Sequence, residues 1–165
     1  MKGTGALLAL ALASPALASC GLQPMYAGGG SGEVARALAA VDVPAIEGQA
    51  GWLVRNALRD RLGDADGSAR YRLDVRLDDN LEGLGLLTDD TIGRERRTLR
   101  ARYQLVDTTT GEVLLDASDG SDAGIDVVSS EYATIAAEQT ALENLSRDVA
   151  DRIVTRLALA LRKAP

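Results

Sequence analysis

Residues 71–78 read YRLDVRLD and residues 98–106 read TLRARYQLV, and these two segments decide the fold. Apolar residues alternate with charged or polar residues in both of them. Successive side chains of a β-strand point to opposite faces, so this alternation is typical of strands with one buried face and one exposed face. Residues 112–118 (EVLLDAS) repeat the pattern after a DTTTG turn. The short connections between these three strands favour an antiparallel meander.

Two amphipathic helices are predicted to cover the apolar face of this sheet. Residues 49–62 (QAGWLVRNALRDRL) place apolar side chains on one side at helical spacing, and Gly63 suits the position after a helix C-terminus. A second, longer helix runs to about residue 162 with an apolar stripe along its length, and Ser129 or Ser130 can cap its N-terminus.

A short first strand is predicted at residues 39–43, where alternation ends at Pro44. The chain then has the order β-α-β-β-β-α. The fold class expected from this order is α+β, with two layers: a four-stranded sheet covered on one face by two helices.

The N-terminus has the features of a secreted lipoprotein precursor. Lys2 is followed by the apolar run ALLALALA at residues 6–13, which is too short to cross a bilayer, and then by LASC, which ends at Cys20. LASC has the form of a lipobox, and Cys20 is the only cysteine. We predict a signal peptide at 1–19, a lipidated N-terminus and flexible linker at 20–33, and one domain at 34–165. The alternative is an ordinary signal peptide with a cysteine nearby by chance.

Composition excludes several classes of chemistry. The 165 residues include no His and one Cys, so a His-based catalytic pair, a His metal ligand and an internal disulfide are all excluded. The net charge of -6 argues against a nucleic-acid binder. A Ser–Lys hydrolase would depend on Lys163, the one lysine after the signal peptide. We therefore expect no enzymatic activity, no metal and no cofactor.

An arginine cluster is the strongest local charge signal. Five arginines lie between residues 94 and 102, opposed in sequence only by Glu95. Arg94, Arg96, Arg100 and Arg102 are candidates for binding lipid phosphate, because guanidinium binds phosphate oxygens bidentately. Arg97 is expected to point inward or to lie in a turn. The alternative is a solvated face whose arginines pair with Asp74, Asp78 or Asp116.

Four apolar residues are candidates for contact with a partner protein. Trp52, the only tryptophan, falls opposite the core stripe of its helix, and aromatic side chains dominate protein interfaces; it could instead pack against the preceding turn near Pro44. Leu84, Leu86 and Leu87 lie in a loop predicted at residues 82–93, whose exposed leucines would mark an interaction surface. The alternative is that these leucines fold back under the sheet.

Several segments taken together resemble the lipopolysaccharide-assembly lipoprotein family LptE. No single segment is decisive; their order and spacing carry the resemblance, which covers nearly all the chain after the signal peptide. The segments are CGLQPMY at 20–26, VPAI at 43–46, LVRNAL at 53–58, RYQLVD at 102–107, GEVLL at 111–115 and SSEYA at 129–133.

The resemblance implies a function as well as a fold of two helices on a four-stranded sheet. Members of this family plug the LptD β-barrel, bind lipopolysaccharide and assist its transfer to the outer leaflet. The expected location is the periplasmic face of the outer membrane, held by acyl chains on Cys20, since Gly21 stands where an inner-membrane retention signal has Asp. The acidic net charge departs from a broadly basic lipid-binding surface. A generic outer-membrane lipoprotein that scaffolds a different envelope complex is the alternative.

Overall fold

The computed structural model describes residues 32–63, 69–86 and 92–162. Its elements follow the order α-β-α-β-β-β-α. They are α1 (Glu33–Ala39), β1 (Val41–Asp42), α2 (Gly48–Leu62), β2 (Tyr71–Leu86), β3 (Ile92–Asp107), β4 (Val113–Asp126) and α3 (Glu131–Leu161).

The strands form one mixed sheet in the order β1-β2-β3-β4. β1 runs parallel to β2 and pairs with it only at Val41↔Tyr71 and Asp42↔Arg72. β2–β3 and β3–β4 are antiparallel. The predicted α+β class and the three-stranded meander are confirmed.

The chain before the sheet differs from the sequence expectation. Residues 33–39 (EVARALA) form the short helix α1, and the first strand is reduced to two residues. Alanine and leucine favour helix, whereas Pro44 lacks an N–H and limits strand pairing after Asp42. The fold class is unaffected by this extra helix.

The core lies between one face of the sheet and the helices. Alternate residues of β2 and β3 are buried there against apolar residues of α2 and α3, which burial removes from water. Fully buried side chains from the sheet include Leu73, Leu99, Tyr103 and Leu105, and those from the helices include Val54, Leu58, Leu142, Ile153 and Leu157.

Helices α2 and α3 run in the same direction. The Gln49 side chain donates to the Gln139 amide oxygen at 2.8 Å near the start of α2, and Arg61 pairs with Asp151 near its end. α3 has 31 residues and spans about 46 Å, twice the length of α2. Its first two turns therefore extend beyond the N-terminus of α2. Ser130 caps α3 by accepting from the Ala133 N–H, which confirms one of the two predicted caps.

The β2–β3 hairpin is longer than the sequence predicts. β2 continues from residue 78 to Leu86, and β3 begins at Ile92 rather than at residue 98. Most of the loop predicted at 82–93 is therefore strand. Within the described part of the chain, no helix is both long and apolar enough to cross a membrane.

Candidate functional site

The four candidate arginines of β3 lie on the outer face of the sheet. We call these residues the arginine row (Arg94, Arg96, Arg100 and Arg102). They share one parity along the strand, and side chains two residues apart share a face. Leu99, Ala101, Tyr103 and Leu105 alternate with them and are buried on the opposite face. The structure therefore brings these four arginines onto one exposed surface.

The two ends of the arginine row are neutralised by ion pairs with β4. Arg94 Nε lies 3.1 Å from Asp126 Oδ1, and Arg102 Nη2 lies 3.1 Å from Asp116 Oδ2. The hydrogen bond from the Gln104 amide and the nearby Arg102 charge lower the pKa of Asp116. Of the acids expected as partners, Asp116 pairs with the row, whereas Asp74 pairs with Arg72 on its own strand.

The middle of the arginine row is not neutralised in this way. Among the described residues, neither Arg96 nor Arg100 has an acidic partner within 4.0 Å, although their neighbours across the strands on β2 are Glu82 and Asp78. These two exposed guanidinium groups keep their hydrogen-bond donors available to an external anion.

Glycines of β4 lie opposite the two unneutralised arginines, and only Gly124 leaves open space. Gly120 lies opposite Arg100, and Gly124 lies opposite Arg96. A Cβ at Gly120 would come within 3.2 Å of Arg100 Cγ, so the Arg100 side chain lies close over the backbone of β4. A Cβ at Gly124 would have no heavy atom within 4 Å.

Arg76 is a further basic residue beside the row, and sequence reasoning did not assign it to the site. It lies directly across from Arg102 on β2. Arg76, Arg100 and Arg102 line a shallow depression of about 560 Å³, with Asp78, Ser118 and Gly120. Strand alternation already placed Arg76 on the outer face, but only the β2–β3 register places it beside Arg102.

Arg97 points inward and does not belong to the row, as expected from its parity. Its guanidinium donates to the Asp79 carboxylate at 2.8 and 2.7 Å and to the Glu138 carbonyl oxygen of α3 at 3.2 Å. The hydrogen bond to Asp79 raises the pKa of Arg97. This residue joins the hairpin to the long helix.

Trp52 lies on the outside of the helical layer, with 63% of its surface exposed. It lines a groove of about 270 Å³ between α2 and α3, together with Asn56, Asp60, Glu143 and Arg147. The expectation that Trp52 points away from the core agrees with this placement. Its role in contacting a partner stays a prediction.

The other candidates for partner contact and anchoring are only partly within the described structure. Leu84 is half-buried on the outer face and lies across from Arg94. Leu86 pairs with Ile92 in the backbone register, and its side chain lies outside the described atoms. Leu87 and Cys20 lie outside the described residues.

The described residues contain no cluster of three or more acidic, His or Cys side chains arranged to hold a metal ion. The site is therefore a row of cationic side chains on an open sheet surface. Such a surface can bind phosphate or carboxylate groups by charge-assisted hydrogen bonds.

Comparison with known protein families identifies the family of this chain. The family model described as LptE, Lipopolysaccharide-assembly, matches residues 38–157, which is most of the chain. The chain belongs to the LptE family. A role in lipopolysaccharide assembly, as a bacterial lipoprotein, follows from this membership.

Solved structures of lipoproteins share the LptE-type fold seen here. A lipoprotein from Caulobacter crescentus matches with a TM-score of 0.64 at 25% identity, covering 79% of this chain and 97% of that one. The minor lipoprotein from Acinetobacter baumannii matches with a TM-score of 0.54 at 13% identity, covering 72% of this chain and 88% of that one. The rare lipoprotein B from Shewanella oneidensis matches with a TM-score of 0.50 at 14% identity, covering 72% of this chain and 93% of that one. A search of curated protein sequences finds no significant match.

Proposed function

We propose that this LptE-family chain is a non-enzymatic outer-membrane lipoprotein that binds lipopolysaccharide and works with an LptD-like β-barrel. The observation that carries the lipid-binding part is the pair of exposed arginines, Arg96 and Arg100, in the middle of the arginine row. Neither has an acidic partner among the described residues, and Gly124 leaves space beside Arg96. Lipid A carries phosphate groups, which guanidinium binds bidentately.

Phosphate binding should be more favourable at the middle of the arginine row than at its ends. A phosphate that binds Arg94 or Arg102 must compete with an aspartate already hydrogen-bonded to that arginine. A phosphate that binds Arg96 or Arg100 meets no such competing carboxylate among the described residues. Each charge-assisted hydrogen bond to the ligand contributes about 1.5–3 kcal/mol, or about 10- to 150-fold in affinity. Salt screens such exposed contacts, so the contribution is largest at low ionic strength.

Charge reversal in the middle of the row tests the lipid-binding proposal. We expect Arg96→Asp and Arg100→Asp to weaken binding of purified lipopolysaccharide by at least about tenfold at low salt. Arg152→Asp is the matched control, because it makes the same change in net charge at an exposed position on α3. The melting temperatures of all three variants are compared, since an outward strand position leaves the core intact.

The outcome that counts against the lipid site is equally definite. If the two β3 variants bind lipopolysaccharide as tightly as the unchanged protein, the row is a solvated face. If Arg152→Asp weakens binding as much as they do, the effect is one of net charge and the site is not on β3. A phosphate-free lipid A then separates phosphate recognition from binding of the acyl chains.

The barrel partnership rests on the family and on the exposed Trp52. Its large apolar surface beside a groove between two helices suits an interface anchor. In mild detergent, the full lipidated protein should co-purify with a large β-barrel, and Trp52→Ala should reduce the yield of that complex without lowering thermal stability. Co-purification of a different envelope complex instead would support the generic scaffold.

The anchor rests on the lipobox that ends at Cys20. Cys20→Ala should abolish acylation and release the protein into the periplasm, because two or three acyl chains hold a small protein on a membrane almost permanently. Acyl mass on the N-terminal peptide of the unchanged protein is the direct measurement. If Cys20→Ala remains in the outer membrane, this mass separates retention by the barrel from a wrong lipobox assignment.

A further inference from the structure

In the part of the chain that the structure describes, the edge of β2 away from β3 lacks a partner strand along most of its length. β1 pairs with it only through Val41 and Asp42, and β2 continues to Leu86. Among residues 32–63, 69–86 and 92–162, no strand lies beside β2 past Arg72 on the side away from β3. We call this side of residues 73–86 the open edge. Unpaired strand edges are templates for pairing with another chain.

The backbone of the open edge presents a regular series of donors and acceptors. The Tyr71 N–H donates to the Ala40 carbonyl oxygen at 3.1 Å, which fixes the side toward which this residue points. In an antiparallel strand, alternate residues direct their N–H and C=O groups to the same side. Leu73, Val75 and Leu77 therefore point their backbone groups to the open edge, as do Asp79 and Leu81.

The chain that follows β1 leaves β2 instead of continuing beside it. Residues 44–47 diverge after Val43, because Pro44 lacks the N–H that a ladder needs. A depression of about 470 Å³ lies between residues 45–47 and residues 75–77 of β2. Another, of about 480 Å³, extends from residues 44–46 past residues 73–76 of β2 to residues 102–104 of β3. There is therefore space beside the open edge where β1 stops.

Farther along, apolar side chains on the inner face are left uncovered. Leu81 is 41% exposed and lies across from Arg97, which reaches the Glu138 carbonyl oxygen of α3. Ile135 and Tyr132, one and two turns before Glu138, are 55% and 84% exposed. α2 begins level with Gln139 and does not extend to them. We call Leu81, Tyr132 and Ile135 the notch.

Past Arg76, the outer face beside the open edge is acidic. Asp78 and Glu82 are exposed, and among the described residues neither has a basic partner within 4.0 Å. A second copy of this chain paired edge to edge would bring these acids close to their own counterparts, and like charges side by side destabilise strand pairing. A strand carrying basic residues at these positions would be stabilised instead.

We propose that the open edge of β2 receives an extended segment of a partner polypeptide, which adds a strand to the sheet. Its inward side chains are apolar and cover the notch, and its outward side chains are basic and lie beside Asp78 and Glu82. Main-chain hydrogen bonds hold the segment, and the alternation of apolar and basic side chains sets its specificity. This docking is independent of the lipopolysaccharide-binding role proposed above.

A designed peptide tests the proposal on the full chain. The probe is a seven-residue peptide with blocked ends that alternates lysine and valine, and amide hydrogen exchange followed by NMR is the measurement. We expect saturable binding with a Kd below about 1 mM. The amide protons of Leu77, Asp79 and Leu81 should gain protection. A peptide alternating glutamate and valine should not bind, nor should the lysine–valine peptide with N-methylated valines.

Two variants locate the binding. Leu81→Lys should weaken binding by at least about tenfold, whereas Val113→Lys, with the same charge change at an exposed residue of the other edge strand, should not. Leu81→Pro removes an open-edge N–H and spares the ladder with β3, so it should also weaken binding. Leu81→Lys keeps the test decisive if the proline variant does not fold.

Four results would overturn the proposal. One is no saturable binding of the lysine–valine peptide, and another is binding that the N-methylated peptide reproduces, which means adsorption by charge alone. A third is slow exchange of the Leu77, Asp79 and Leu81 amides in the free protein at all concentrations, which means that another part of this chain covers the edge. The fourth is protection that rises with protein concentration alone, which assigns the edge to a second copy.

Discussion

The Arg97 guanidinium and the Asp79 carboxylate form a doubly hydrogen-bonded ion pair on the inner face of the β2–β3 hairpin. Their side chains are 16% and 24% exposed, so the pair is largely shielded from water. Arg97 also donates to the Glu138 carbonyl oxygen, which connects the hairpin to α3. Two charges thus occupy inner-face positions, whereas Leu73 on β2 and Leu99 and Leu105 on β3 fill that face with apolar side chains.

Arg97→Ala should destabilise the fold, because it leaves the shielded Asp79 charge without its donor and removes the bond to the Glu138 carbonyl oxygen. We expect a loss of about 1–3 kcal/mol in the free energy of unfolding, measured by urea denaturation. Arg72→Ala is the control: it breaks the exposed pair with Asp74 and should leave the free energy of unfolding almost unchanged. Adding Asp79→Ala to Arg97→Ala should recover part of the loss; if it does not, the pair is not the cause.

The strand cores were predictable from the sequence, but the ends of the hairpin were not. Alternation from Tyr71 to residue 78 identified the buried face of β2 because every inner residue there is apolar. Asp79 and Arg97 interrupt this pattern, since each satisfies the other across the strands. A charge pair that forms only after the strands align has no signature in either strand alone, so both strands were predicted too short.

The arginine row was predictable, whereas its neighbours on the adjacent strands were not. The even spacing of its four residues places them on one face of any strand. The position of Arg76 beside Arg102, and of Gly120 beside Arg100, depends on the strand register. Register is set by packing and turn geometry across the sheet, which a single strand does not encode.

Tyr103→Phe should change the alkaline stability of the protein. Burial, followed by the hydrogen bond that the Tyr103 hydroxyl donates to Asp119 at 2.6 Å, raises the pKa of Tyr103 above its ordinary value. The folded state therefore keeps a proton that the unfolded state loses. This stabilisation is fully present below pH about 10 and is lost as pH rises through the raised pKa.

The measurement is the free energy of unfolding at neutral and at strongly alkaline pH. Above pH about 10, Tyr103→Phe should lose stability less steeply than the unchanged protein. At neutral pH the substitution should lower the free energy of unfolding by only about 1 kcal/mol, since Asp119 keeps its ion pair with Arg156 at 3.0 Å. Equal alkaline slopes for the two proteins would show that Tyr103 does not retain its proton.

Asp107→Asn tests the turn between β3 and β4. The Asp107 carboxylate accepts from the backbone N–H of Thr109 at 2.8 Å, and this bond, with that from Thr110 and the nearby Arg70, lowers the pKa of Asp107. The resulting stabilisation is present above the ordinary pKa of about 3.9 and is lost as pH falls through the lowered value.

We expect Asp107→Asn to melt at a lower temperature than the unchanged protein at neutral pH. The asparagine keeps an acceptor for Thr109 but loses the charge that attracts Arg70. The difference in melting temperature should therefore shrink as pH falls below about 4, because the unfolded state takes up a proton at the ordinary pKa and the folded state does so only at the lowered one. If the difference in melting temperature stays constant down to acid pH, the effect comes from the geometry of the asparagine side chain and not from the lost charge.

Gly51→Ala should destabilise the protein even though Gly51 lies inside helix α2, where alanine is normally favoured by about 1 kcal/mol. A Cβ at this position would lie 2.5 Å from the Ile46 carbonyl oxygen and 2.6 Å from its carbonyl carbon, so the connector between β1 and α2 would have to move. Overpacking of this kind costs about 1–3 kcal/mol, which outweighs the gain in helix propensity.

Gly124→Ala is the control, since its Cβ would have no heavy atom within 4 Å, and it should leave the melting temperature unchanged or slightly higher. A rise in melting temperature for Gly51→Ala would mean that the connector does not pack against α2 at this point.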